Sequence, residues 1–161
     1  LDGDALEELA VAALLHDLGK IRVDPDLVNK PGPLDPDERE AVREHARAAV
    51  ADLAALTRWP DAHRIAPLHH EVDEPAAYPR SGADRRADGV RDGEDRRLPL
   101  TAETLHRGRI LALADRFDSL ISHRPYKGPV PSDEVREQLA AEMPDLAHLL
   151  AHIPDFGRPP R

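Results

Sequence analysis

The sequence contains no cysteine. Disulfides and thiolate metal sites are therefore excluded. Aromatic side chains are scarce: one Trp, two Tyr and two Phe in 161 residues, so Leu, Ala, Val and Ile must fill any core. No apolar run approaches the roughly 20 residues of a membrane span, and no signal peptide is evident. A cytoplasmic location is expected, with no membrane contact in this segment. Positive charge is also short. The net charge of −9 argues against a broad DNA- or RNA-binding surface, yet a small anionic substrate held through metal ions stays compatible with it. Internal repeats are missing and strand-like alternation is nearly absent. What remains is 40% apolar residues, enough for one hydrophobic core. Residues 1–161 are expected to form a single domain. The chain starts at Leu1 and enters a helix almost at once, which reads as a piece of something longer. Nine histidines against two tyrosines is a balance that calls for an explanation.

Periodicity predicts an all-α fold of about five to six helices. The first spans roughly Asp4 to Leu18, with Leu6, Leu9, Ala13 and His16 on one face and Gly19 able to end it. "VDPDLVNKPGPL" reads as a loop. Asp35, Pro36 and Glu38 announce a second helix through a cap, a first-turn proline and a capping-box acid, and its stripe is Val42, Ala49, Leu53 and Leu56. A third, roughly Asp61 to Glu71, carries Ile65 and Leu68 and should be kinked at Pro67. Tyr78 to Pro99 is nearly all Arg, Asp and Gly, and residues 80–99 read as a long, mobile, polar loop insertion. A long helix follows Thr101, with Ile110, Leu113, Phe117 and Leu120 as its core stripe. A fifth starts at Ser132 and ends before Pro144, and a short sixth holds Leu146, Leu149, Leu150 and Ile153.

"LLHDLGKI" places His16 on the apolar stripe. Lys20 is one turn on, roughly 6 Å along the axis, and Asp17 is rotated by about 100°. Val42, His45, Ala49 and Leu53 share a face, so His45 also points inward. His69 and His70 end the third helix, and Asp115 flanks the stripe in "ILALADRFDSL". A lone inward histidine is usually a satisfied core residue. Inward His or Asp on four helices is costly to bury without partners, and a metal cluster would satisfy all of them together. Imidazole plus carboxylate suits Fe, Mn, Zn, Ni or Co and disfavours Ca. Asp118 reads as support for a ligand or a nearby backbone group. Asn29 and Lys30 are either part of a Pro-Gly turn or substrate contacts. His63, His106, His123, His148 and His152 read as surface or loop residues, and Glu71 as a helix-end residue.

Taken in order, "AALLHDLGKI", "LVNKPGPL", the histidine of "REHARAA", "LHHE" with "YP" eight residues after His70, and "RILALADRFDSLISHRPYK" resemble an HD-GYP domain, a branch of the HD phosphohydrolase superfamily. The resemblance covers roughly Leu9 to Lys127. It implies a helical bundle around a metal centre and cleavage of cyclic di-GMP to pGpG, GMP or both. The implied ligands are His16, Asp17, His45, His69, His70 and Asp115. They would hold two divalent transition-metal ions, Fe or Mn foremost, with Zn, Ni or Co as alternatives. Asp17 and Lys20 would act in catalysis, and Lys20, Tyr78, Arg124 and Tyr126 would lie at the substrate. Homodimerisation and an upstream sensory or receiver domain are compatible with the family.

There are departures. The family's "DGSGYP" stands here as "EPAAYP", with Pro75 and Ala77 in place of glycines that relax the backbone, so the substrate-side loop should be shaped differently. The family's further His or Glu ligand, from an upstream helix, has no counterpart in this chain, which puts a third metal in question. Two other readings therefore stand beside the first: an HD phosphohydrolase for another nucleotide or phosphate ester, and a degenerate signalling or interaction module without turnover. For the hydrolytic readings, two ions sharing a water can lower its pKa from 15.7 towards about 7. That makes a metal-bridging hydroxide the expected nucleophile, with Asp17, which has two oxygens, the expected bridging ligand.

Overall fold

The protein is described from a computed structural model covering residues 1–70, 100–122 and 128–154. All regular structure among these residues is helical: α1 (Gly3–Leu15), α2 (Pro25–Val28), α3 (Pro36–Leu53), α4 (Ala62–Ile65), α5 (Ala102–Ile121), α6 (Ser132–Glu142) and α7 (Ala147–Leu150). Two 3-10 turns, Leu18–Arg22 and Ala66–His70, follow α1 and α4. None of the described helices is long and apolar enough to cross a membrane.

Local chemistry sets most of the helix starts. The Asp2 side chain accepts from the Ala5 amide at 2.8 Å and caps α1. Asp35 and Glu38 form a complete capping box at α3, with Pro36 in the first turn, satisfying amides that the first turn would leave bare. Thr101 caps α5 through the Thr104 amide. The third helix differs from expectation. Only Ala62–Ile65 is α-helical, and the chain continues as the tighter turn Ala66–His70. Pro67 has no amide hydrogen to offer the preceding turn, and the 3-10 turn accommodates that without a kinked α-helix.

Two apolar clusters share α5. One packs Leu9 and Ala12 of α1, Ala49 and Leu53 of α3, Ala62 and Ile65 of α4, Ala66 and Leu111. The other packs Leu113 and Phe117 against Val135, Leu139, Met143, Leu146 and Leu150. The stripe of α1 differs from the sequence reading. Ala5, Leu9 and Ala12 are buried, whereas Leu6 is 58% exposed and Ala13 only half-buried. Small alanines let α1 lie close to its neighbours, so the seam runs along Ala5, Leu9, Ala12 and on to His16. Val42, Leu56, Ile110 and Leu120, expected in the core, are half-buried at its margin.

Candidate metal centre

Five elements converge at one end of the first cluster. The end of α1 carries His16 and Asp17, and the following 3-10 turn carries Lys20. His45 comes from α3, His69 and His70 from the second 3-10 turn, and Asp115 from α5. Gly19 sets the approach of the first two groups. A Cβ at this position would stand 1.9 Å from the His45 carbonyl oxygen, so the turn after α1 touches the α3 backbone directly. In the sequence Gly19 reads only as a helix terminator. Its second role, bringing Asp17 to His45, depends on a neighbour 26 positions away.

The imidazoles are oriented by one repeated device. Nδ1 of His16 donates to the Ala13 carbonyl at 2.7 Å, Nδ1 of His69 to Ala66 at 2.5 Å, and Nδ1 of His45 to Val42. With Nδ1 committed as donor, each Nε2 offers a lone pair when its ring is neutral. The His16 Nε2 lies 3.4 Å from Asp17 Oδ2 and 3.6 Å from Asp115 Oδ1. The His45 Nε2 lies 3.2 Å from Asp17 Oδ1 and 3.1 Å from His70 Nε2. The rings of His69 and His70 are 3.8 Å apart, and those of His16 and His69 are 4.7 Å apart. Lys20 Nζ donates to Asp17 Oδ2 at 2.6 Å.

With the rings neutral, acceptors thus face acceptors. Asp17 Oδ1 and His16 Nε2 are buried without a hydrogen-bond partner among the described residues, an arrangement that normally carries a desolvation penalty. A cation would be coordinated by just these atoms. Donor atoms of His45, His69 and His70 lie within 4.8 Å of one another, as do those of His16, Asp17 and His69. The two groups share His69 and consist of nitrogen and oxygen alone, a set that suits borderline transition-metal ions. The residues present therefore fit a metal centre.

The electrostatics draw positive charge, here a proton, to the same atoms. Burial opposes protonation of His16, but the Asp115 and Asp17 carboxylates outweigh it and push its pKa up to about 10. Burial likewise works against charge on Asp17, yet His16, His45 and Lys20 hold its carboxyl far below the usual range. Asp115 is also lowered, by His16 and His69 against the effect of burial. Burial pushes His69 down to about 4. Burial, then the neighbouring His69 and His45, push His70 down to about 3. One protonated imidazole thus supplies positive charge between two carboxylates while His69 and His70 stay neutral.

The other residues singled out in the sequence fall elsewhere. Asp118 is exposed and sits 3.4 Å from the Ser122 hydroxyl, so among the described residues it supports no ligand. Asn29 donates to the Pro25 carbonyl at 2.7 Å, and Lys30 pairs with Glu38 at 2.5 Å, so both serve the turn. His63 is half-buried, and His106, His148 and His152 are exposed away from the cluster. Tyr78, Arg124, Tyr126, Glu71, His123, the "EPAAYP" segment and the 80–99 insertion lie outside the described residues.

The HD domain family matches residues 2–120. The chain is 33% identical over 134 residues to a cyclic di-GMP phosphodiesterase of Thermotoga maritima, covering 82% of this chain and 32% of that protein. It is 37% identical over 123 residues to the 3′3′-cGAMP-specific phosphodiesterase 3 of Vibrio cholerae, covering 76% of this chain and 23% of the relative. To the cyclic di-GMP phosphodiesterase response regulator RpfG of Xanthomonas campestris it is 33% identical over 144 residues, 88% of this chain and 34% of the relative. The chain therefore spans only about a third or less of these relatives' length. With the family match running through all five elements of the centre, the chain belongs to the HD domain family.

Proposed function

We propose that this chain carries a metal-dependent phosphodiesterase site for 3′,3′-cyclic dinucleotides, with cyclic di-GMP as substrate and pGpG, GMP or both as products. The observation that carries the reading is the convergence of His16, Asp17, His45, His69, His70 and Asp115 with their acceptor atoms facing one another. The names of the relatives support the substrate class. The centre would hold two divalent ions, Fe or Mn foremost, with Zn, Ni or Co as alternatives. Bound there, the ions would supply Lewis-acid activation of water and neutralise charge on the phosphate.

The chain's own groups have distinct tasks in this reading. Asp17 turns Oδ1 towards His45 and Oδ2 towards His16, so it serves both halves of the centre. His69 and His70 offer neutral imidazoles at pH 7, whereas His16 must give up its proton. Lys20, partly exposed and held against Asp17, keeps an ammonium beside the centre, where it offsets charge that builds on phosphoryl oxygens. Hydrolysis joins the oxygen of water to phosphorus, breaks the bond to the ribose oxygen and leaves a proton on that oxygen. The net charge of −9 does not oppose binding of an anion, because the attraction is local to the ions and Lys20.

A second reading keeps the chemistry and changes the base. Some relatives are named for 3′3′-cGAMP, so the hybrid dinucleotide is the alternative substrate. By analogy with the response regulator among the relatives, the site would work under a receiver or sensory domain of a longer protein. Elemental analysis of protein reconstituted with Fe or Mn, together with a hydrolysis panel of cyclic di-GMP, 3′3′-cGAMP and linear dinucleotides, tests the reading. Close to two ions per chain and opening of a cyclic dinucleotide are expected. Metal uptake with turnover of a different phosphate ester alone would replace the substrate. Metal uptake with no hydrolysis would point to a signalling module, and failure to take up metal would remove the centre.

A further inference from the structure

Among the described Lys, Arg, Asp and Glu residues, only Arg107 is buried, at 4% exposure. It lies on α5, away from the metal-binding end. Its Nη1 donates to Glu8 of α1 at 2.7 Å, and its Nη2 to Asp61, just before α4, at 3.0 Å. The second oxygen of Glu8 accepts from the Asp61 amide at 3.3 Å, and the second oxygen of Asp61 accepts from Arg64 at 3.0 Å. Glu103 approaches Nη2 at 3.6 Å.

The spacing of this network is the telling feature. Glu8 stands eight residues before His16, Asp61 eight before His69, and Arg107 eight before Asp115. Midway along each segment stand Ala12, Ile65 and Leu111, all buried in one cluster. Three chain segments therefore run side by side through the same three layers: ionic, apolar, metal-binding. In an α-helix eight residues are about 12 Å and follow one ridge of i±4n positions. The apolar layer is non-directional and tolerates small axial slips. A guanidinium fork bound to two carboxylates on two different elements permits one arrangement. Buried ion networks add little net stability over apolar packing of the same volume, and fixing register is a use they are suited to. The α4 segment has most need of it. It is four residues long and passes at once into a 3-10 turn, so it has no long run of helical hydrogen bonds to hold His69 at a set height.

We propose that Arg107 is a positioning residue: by clasping Glu8 and Asp61 it sets the axial register of α1, α4 and α5, and so the spacing of His16, His69 and Asp115. The inference rests on the metal-centre reading above. Its test uses cobalt(II) as the probe, titrated into metal-free protein and followed by its d–d absorption, which reports coordination geometry without any turnover. The comparison is between wild type, Arg107→Lys and the triple variant Glu8→Gln, Asp61→Asn, Arg107→Met, which removes the charges together and leaves no lone buried ion. The triple variant should keep its circular dichroism and a cooperative melt, yet bind cobalt about 10-fold more weakly with altered bands. Arg107→Lys, with charge but no planar fork, should fall between. A folded triple variant with wild-type affinity and spectrum overturns the proposal. Should the triple variant not fold, Arg107→Lys decides: wild-type affinity and bands overturn the proposal, and weaker binding with altered bands supports it. A wild type that takes up no cobalt overturns the metal-centre reading itself, whereas an unchanged variant beside a cobalt-binding wild type overturns the register proposal alone.

Discussion

Replacing Gly19 by alanine adds one methyl group at the tightest point of the site. That Cβ would stand 1.9 Å from the His45 carbonyl oxygen, 2.7 Å from the carbonyl carbon and 3.0 Å from the Cα. All three are backbone atoms of α3, so no rotamer change relieves the clash. Reaching an ordinary contact of 3.4 Å requires the turn and α3 to part by about 1.5 Å. The displacement lies between Asp17 and His45, whose facing atoms are 3.2 Å apart. Overpacking of this kind costs about 1–3 kcal/mol, which corresponds to a melting temperature lower by roughly 2–12 °C for a chain of this size. A shift of order 1 Å at a reacting centre costs about 10²-fold in rate. Gly19→Ala should therefore lower the melting temperature by several degrees, weaken metal binding at the centre, and cut cyclic dinucleotide hydrolysis by about two orders of magnitude. Thermal melts in chelator, cobalt titration and a hydrolysis assay read these three effects. Alanine at position 19 with wild-type melting and wild-type metal affinity would refute the argument, because it would show that the two backbones are free to part.

Three other outcomes follow. In chelator, melting temperature should peak near pH 6.5: below it His69 and His70 protonate only on unfolding, their folded values being about 4 and 3, and above it the stability from protonated His16 is lost as pH rises towards about 10. A flat profile between pH 6.5 and 9 in metal-free protein would contradict the assignment to His16. Metal uptake at pH 7 should release a proton from His16, seen as a buffer-dependent binding heat that His16→Gln abolishes. Lys20→Ala should reduce turnover while leaving metal content near wild type, since an ammonium does not coordinate metal; parallel loss of both would make Lys20 a structural partner of Asp17.

Helix starts were readable in the sequence because caps are local. Asp35, Pro36 and Glu38 act within one turn, as Thr101 does with Thr104, and no distant neighbour alters them. The inward aim of His45 was readable for a related reason: Ala49 and Leu53 share its face and are buried. Periodicity failed on α1 because it was weighed by bulk. Leu6 looked like core and Ala5 did not, but a closely packed seam selects the small residue and leaves the leucine in solvent. Pro67 signalled a disturbance without revealing its form, since a kink and a 3-10 turn both accommodate the missing amide hydrogen.

Position along a helix says which way a side chain faces, whereas function here depends on what stands opposite. His16, His45, His69 and Asp115 could each be read as inward from their own segments, but the 3.2 Å approach of Asp17 to His45 depends on Gly19 meeting a backbone 26 residues away. The Arg107 clasp is more distant still, joining positions 99 residues apart. An arginine among buried neighbours on α5 and a glutamate on α1 each look like ordinary surface charge when read alone. Their shared offset of eight residues from Asp115 and His16 gains meaning only once α1 and α5 are side by side. The metal-binding layer and the ionic layer then belong to one register, and a displacement of either is felt at the other.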